Sequence, residues 1–276
     1  MSNMNYLQFE FENESLDQND MLIAYLSELG FEGFEEDGTV LRGYIQDKLF
    51  NQQAFDETLA HIEQVVYLQS TIQQVNWNEI WENQFHPVLV DDFAAVRAGF
   101  HEPVAGVLYD LVITPKMSFG TGHHATTWMM MQLMRDIDFN SKKVFDFGTG
   151  TGVLAILAEK MGAASVRAID NDLWSIENTQ ENLLANSCRS ISVELMSEVP
   201  SNTQYEVILA NINLNVIMAN AAVLYQIALP GAVALFSGFL TTDEQLICEK
   251  LQQAGFQVTS VLSRGEWLAV KAVRHG

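Results

Sequence analysis

The sequence predicts a doubly wound α/β domain with a small α+β domain ahead of it, and three observations carry that prediction. A short apolar strand, Val144-Phe145-Asp146-Phe147, runs into glycines on alternate residues, Gly148, Gly150 and Gly152, with a helical pattern directly behind them. The next strand, Ser165 to Ile169, ends in an acid, Asp170. Strand–helix alternation then continues to a terminal hairpin, the rhythm of an open α/β sheet.

Taken in order, Tyr6 to Phe11 alternates like a strand, and Asp20 to Leu29 carries an apolar stripe that stops at Gly30. A short strand near Phe34 and another from Thr39 to Ile45 flank Asp37-Gly38, a hairpin signal. Gln52 to Glu63 predicts a helix and Val66 to Val75 a strand. The order β-α-β-β-α-β is that of a ferredoxin-like domain, placed at 1–73. Trp77, Ile80, Trp81 and Phe85 fall at helical spacing, which predicts an aromatic-faced linker helix over 74–88, ended by His86-Pro87.

The α/β domain occupies 89–276. Its first strands are placed at Val88–Val90, Ala95–Ala98 and Leu108–Ile113, and helices at His124–Arg135, Thr151–Met161 and Trp174–Asn186. Glu206–Ala210 and Ala232–Phe236 read as buried strands, Asp243–Ala254 as a helix, and Gln257–Leu262 with Trp267–Ala272 as the closing hairpin.

Composition bounds the function. The chain of 276 residues is 48% apolar and 18% charged with 5 prolines, which argues against disordered and fibrous classes. No apolar run approaches the ~20 residues of a membrane helix. Met1 to Glu14 lacks the basic and apolar regions of a secretion signal, so a cytoplasmic protein is expected. Cys188 and Cys248 have neither a CxxC nor a metal-ligand spacing. A formal net charge of −21 argues against nucleic acid as the main partner. Acidity suits a basic protein partner, or serves solubility alone. Thirteen acids stand against Arg42 and Lys48 between residues 1 and 60.

The chemistry concentrates in three elements. Gly148-x-Gly150-x-Gly152 fails the dinucleotide fingerprint Gly-x-Gly-x-x-Gly by one residue, and no Lys-Ser or Lys-Thr completes a P-loop. With Asp146 before it, the loop resembles the first motif of class I S-adenosylmethionine-dependent methyltransferases. Phe119-Gly120-Thr121-Gly122-His123-His124-Ala125-Thr126-Thr127 is too polar for core and sits where a loop enters a helix, suiting a polar ligand. Adjacent histidines point apart and make a poor metal pair, so a helix cap with one functional hydroxyl is expected and no metal. Val207 to Ala210 runs into Asn211 at the carboxyl end of a strand, where open α/β sheets bind ligands. Asn211 serves either as a ligand amide or as a cap on the following helix.

Together the three elements closely resemble the ribosomal protein L-eleven methyltransferases (the PrmA family), over most of the chain. The resemblance implies a Rossmann-like domain with a seven-stranded sheet and an antiparallel last strand. It implies that Thr127, Gly148, Asp170 and Asn211 bind S-adenosyl-L-methionine, with Asp146, Gly150, Gly152 and Phe119 as neighbours. Asp170 would hold the ribose hydroxyls, and Asn211 would flank the reacting methyl group and position the amine. The implied substrate is ribosomal large-subunit protein L-eleven, methylated on lysine side chains and its α-amine, with the acidic first domain docking it. Methylation of another basic protein or a small amine is the alternative. The loop reads His123-His124-Ala125 where some relatives have Thr-His-Pro, and Asn211 is followed by Ile212-Asn213-Leu214.

Overall fold

A computed structural model describes residues 5–13, 15–62, 65–72, 86–114 and 124–276. The chain divides into two compact units, Met1–Gln84 and Phe85–Gly276. The expected linker residues Trp77, Ile80, Trp81 and Phe85 lie outside the described residues, as do Phe119 and His123.

Among the described residues the first unit has a four-stranded antiparallel sheet and two helices, in the order β1 (Tyr6–Glu12), α1 (Leu16–Glu28), β2 (Gly33–Asp37), β3 (Val40–Gln46), α2 (Gln52–Leu59), β4 (Tyr67–Ile72). The strands lie β2-β3-β1-β4, the ferredoxin-like arrangement that the sequence predicts. Strand alternation buries Leu7, Phe9 and Phe11 against Leu22 and Leu26 of α1 and Phe55 of α2. The hairpin turns at Gly38-Thr39 rather than Asp37-Gly38, with Gly38 at φ +62, open to glycine at no steric cost. Asn51 caps α2 by accepting from the Ala54 amide at 3.2 Å.

The second unit begins with a small sheet, β5 (Val88–Val90), β6 (Ala94–Arg97) and β7 (Tyr109–Val112). There follow α3 (Ala125–Met134), β8 (Lys143–Phe147), α4 (Val153–Lys160), β9 (Ser165–Asp170), α5 (Leu173–Ala185), β10 (Ile191–Leu195), β11 (Tyr205–Asn211), α6 (Leu214–Ile227), β12 (Ala228–Leu240), α7 (Glu244–Ala254), β13 (Phe256–Arg264) and β14 (Trp267–Arg274). Seven strands form one sheet, β10-β9-β8-β11-β12-β14-β13, with β14 antiparallel to both neighbours. That is the Rossmann-like sheet with its antiparallel closing strand. No helix among the described residues is long and apolar enough to cross a membrane.

Two elements escape the sequence reading. β10 is an edge strand whose residues show no clean burial alternation. α6 is apolar on nearly every face, so its buried series Ile217, Ala221, Leu224 and Ile227 is hidden among partly buried apolar neighbours. The fold places β8, β9 and β11 side by side with their carboxyl ends together, and β8 is where the strand order reverses. Ligands in open α/β sheets bind outside such a point.

Candidate active site

A cavity of about 380 Å³ opens at those strand ends, lined by Thr127, Gly148, Gly150, Asp170, Asn211 and Trp267 among others. Its volume falls within the range of small-ligand sites. Four of the residues singled out from sequence as cofactor-binding, Thr127, Gly148, Asp170 and Asn211, therefore share one cavity.

The glycine loop is a strained turn that only glycine can make. Gly148, Gly150 and Gly152 stand at φ +76, +58 and +80, where a Cβ is disfavoured. Gly148 and Thr149 both donate their amides to the Ile169 carbonyl, at 2.9 and 3.0 Å, which binds the loop to the end of β9. A Cβ on Gly148 would run into the Ile212 side chain, and one on Gly152 would lie 2.7 Å from Thr179 Cγ2. The loop is thus a cradle that side chains would fill.

Asp170 is 8% exposed and faces this cradle from the end of β9. Its Oδ2 accepts the Gly150 amide at 2.9 Å and its Oδ1 accepts the Asp172 amide at 3.0 Å. Each oxygen keeps a lone pair for a hydroxyl, since a carboxylate offers about four acceptor sites. Asp146 lies behind the loop, 1% exposed, and does not line the cavity. Its Oδ2 accepts the Thr149 hydroxyl at 2.7 Å. Burial pushes its carboxyl up to about 7, the Thr149 hydroxyl pulls it back, and the Asp170 charge adds to the rise. Asp146 is a brace for the loop rather than a ligand contact.

The opposite wall is built by α3 and β11. His124 caps α3: its Nδ1 accepts the Thr126 amide at 3.3 Å and lies 2.7 Å from the Thr126 hydroxyl. Burial lowers its pKa, which favours the neutral ring that can accept there. The cap aligns Thr127, fully buried, with Asn211, whose Nδ2 donates to Thr127 Oγ1 at 3.3 Å. Asn213, not Asn211, caps α6 by accepting the Val216 amide at 3.1 Å. The Asn211 Oδ1 is buried without a partner in the protein, at the edge of the cavity. A buried acceptor left open costs free energy unless a ligand donor meets it.

Sequence reading missed Ile212, Gly238 and Trp267. Gly238 sits at a bulge in β12 with φ +102, and a Cβ there would strike the backbone carbonyl of Ile212. The bulge lets the Ile212 amide donate to the Ser237 carbonyl at 3.0 Å, seating Ile212 at the cavity. Trp267, at the start of β14, packs edge-on to the His124 ring with centroids 4.4 Å apart. The available signal was a lone glycine inside an apolar strand pattern, which suggests a bulge or close backbone approach.

A narrow glycine cradle, a carboxylate for paired hydroxyls and an open amide acceptor fit S-adenosylmethionine, a nucleoside with an amino-acid tail. Comparison with known proteins agrees. The family model for ribosomal protein L11 methyltransferase (PrmA) matches residues 6–275. The chain is 39% identical to a ribosomal protein L11 methyltransferase of Porphyromonas gingivalis, over 91% of this chain and 89% of that protein. It is 34% identical to one of Phocaeicola vulgatus, over 98% and 99%. A crystal structure of ribosomal protein L11 methylase from Lactobacillus delbrueckii subsp. bulgaricus superposes with a TM-score of 0.65 at 25% identity, covering 70% of this chain and all of that one. With the fold, the cradle and a family match along nearly its whole length, the chain belongs to the ribosomal protein L11 methyltransferase (PrmA) family of S-adenosylmethionine-dependent enzymes that methylate a protein.

Proposed function

We propose that this protein transfers methyl groups from S-adenosylmethionine to amino groups of ribosomal protein L11 in the cytoplasm, at lysine side chains and the α-amine. The observation that carries the reading is the unpartnered, buried Oδ1 of Asn211 beside the cavity that Gly148 and Asp170 line. The cofactor, when bound, supplies an electrophilic methyl group on a sulfonium. Asp170 would hold its ribose hydroxyls and Gly148 would leave room for its methionyl part, while Thr127 fixes the amide of Asn211.

What the protein must add is orientation and a neutral amine. Asn211 Oδ1 accepts an N–H of the incoming amine and so fixes the direction of its lone pair. Burial away from water disfavours the ammonium form and releases the lone pair. Positioning of two partners can supply up to roughly 7–11 kcal/mol of a barrier, so no dedicated base is required.

The acidic residues of 1–73 suit a basic protein, and the segment 74–88 joins that unit to the catalytic one. Methylation of another basic protein or a small amine is the second reading. The test is intact-mass spectrometry of the cognate L11 after incubation with enzyme and cofactor. Successive single-methyl mass steps, absent with Asp170→Ala, are expected. An unchanged mass from a protein that binds cofactor would sink L11 as the substrate.

A further inference from the structure

α5 turns its polar residues inward. Thr179 and Asn182 are fully buried and Asn178 is 1% exposed, yet none of the three lines the cavity. Thr179 donates its hydroxyl to the Gly150 carbonyl at 2.8 Å, and its methyl group is the neighbour that a Cβ on Gly152 would meet. Asn182 Nδ2 donates to the Thr151 carbonyl at 2.8 Å. The carbonyls of two consecutive loop residues are therefore drawn to the helix side, and the loop faces the cavity without those lone pairs.

Asn182 also works in the other direction. Its Oδ1 accepts the Thr114 amide at 2.9 Å. One turn later Asn186 accepts the Val112 amide at 3.0 Å and donates to the Val112 carbonyl at 2.6 Å. The spacing explains the match: residues i and i+4 of a helix are about 6 Å apart along its axis, close to the roughly 6.6 Å between i and i+2 of a strand. α5 thus pairs with the edge of β7 through side-chain amides. Among the described residues the Asn186 side chain bonds Val112 and its own helix, whereas the Asn182 side chain joins Thr114, just past β7, to the glycine loop.

We propose that Thr179 and Asn182 are positioning residues for the cofactor: they set the glycine loop, and Asn182 locks it to the backbone at Thr114. The inference rests on this loop being the cofactor cradle. Neither residue touches the ligand; both act through Gly150 and Thr151.

The test is calorimetric titration of S-adenosylhomocysteine into wild type, Asn182→Ala and Asn186→Ala, with the melting temperature of each. Both variants lose buried hydrogen bonds and should melt lower. Only Asn182→Ala should also weaken binding by the folded protein, by about tenfold, the factor that corresponds to about 1.4 kcal/mol. A Kd for Asn182→Ala within twofold of wild type overturns the proposal, as does an equal weakening in Asn186→Ala. If Asn182→Ala does not fold, Thr179→Val decides: it deletes only the hydroxyl on the Gly150 carbonyl, and an unchanged Kd overturns the proposal. Wild type that binds no ligand would instead sink the site assignment, a separate outcome.

Discussion

Replacing Asp146 with asparagine should make the free protein more stable at alkaline pH. The side chain is 1% exposed, and burial raises its pKa from 3.8 to about 7. In the unfolded chain the carboxyl ionises above the lower value; in the fold it holds its proton until the higher one. Below pH 3.8 both states are protonated and the shift costs nothing. As pH rises from there the folded state becomes progressively less favoured, and the loss levels off above about 7. Between pH 5 and pH 8 the cost set by these two pKa values rises by about 2–3 kcal/mol, at about 1.36 kcal/mol per unit. Asparagine keeps the shape and an acceptor for the Thr149 hydroxyl but carries no charge. Urea unfolding of wild type and Asp146→Asn, followed by tryptophan fluorescence at intervals from pH 5 to pH 8, yields the difference directly. The variant's advantage should grow by about 2–3 kcal/mol across that range. A difference that stays flat would mean that Asp146 is ionised throughout, and the account of it as a protonated brace would be wrong.

Other perturbations separate cradle from catalysis. Gly148→Ala forces a Cβ at φ +76 into Ile212, so cofactor affinity should fall at least tenfold; Ile212→Ala should recover part of it, because the left-handed strain of about 1–2 kcal/mol remains. Thr127→Val deletes the acceptor of the Asn211 amide and should lower turnover about tenfold, read from steady-state kinetics. In an Asn211→Ala background the same change should cost almost nothing; an undiminished cost would show that the two do not act as a unit. His124→Ala removes the cap of α3 and should cost about 1 kcal/mol of stability, read from urea midpoints.

What the sequence made legible was local chemistry. Gly148, Gly150 and Gly152 announce a backbone no other residue tolerates, and Asp170 and Asn211 announce themselves by ending apolar strands. Such signals need only a few consecutive residues. Trp267, Ile212 and Gly238 are illegible for the opposite reason. They meet because β12 bulges and β14 returns antiparallel beside it, pairings set by the whole sheet. Ferredoxin-like order was readable because β1 and β3 alternate buried and open residues and α1 between them carries an apolar stripe, whereas β10 and α6 lack a contrasting face to reveal their period.

α5 carries that point furthest, because its pattern reads backwards. Trp174 and Leu184 are 75% and 81% exposed, while Ser175, Asn178, Thr179 and Asn182 are buried. Amphipathic reasoning would bury the first pair and solvate the second set. The inversion has a cause in the neighbouring loop. A turn built for close approach of a ligand exposes its own carbonyls, and buried carbonyls need donors. The donors come from the helix that packs behind the turn, so that helix must be polar inside. A glycine cradle followed one strand later by a helix with threonine and asparagine at i and i+3 thus points to a loop braced from behind. Where that helix instead carries leucines at the corresponding positions, the loop carbonyls must find water or another element to bind them.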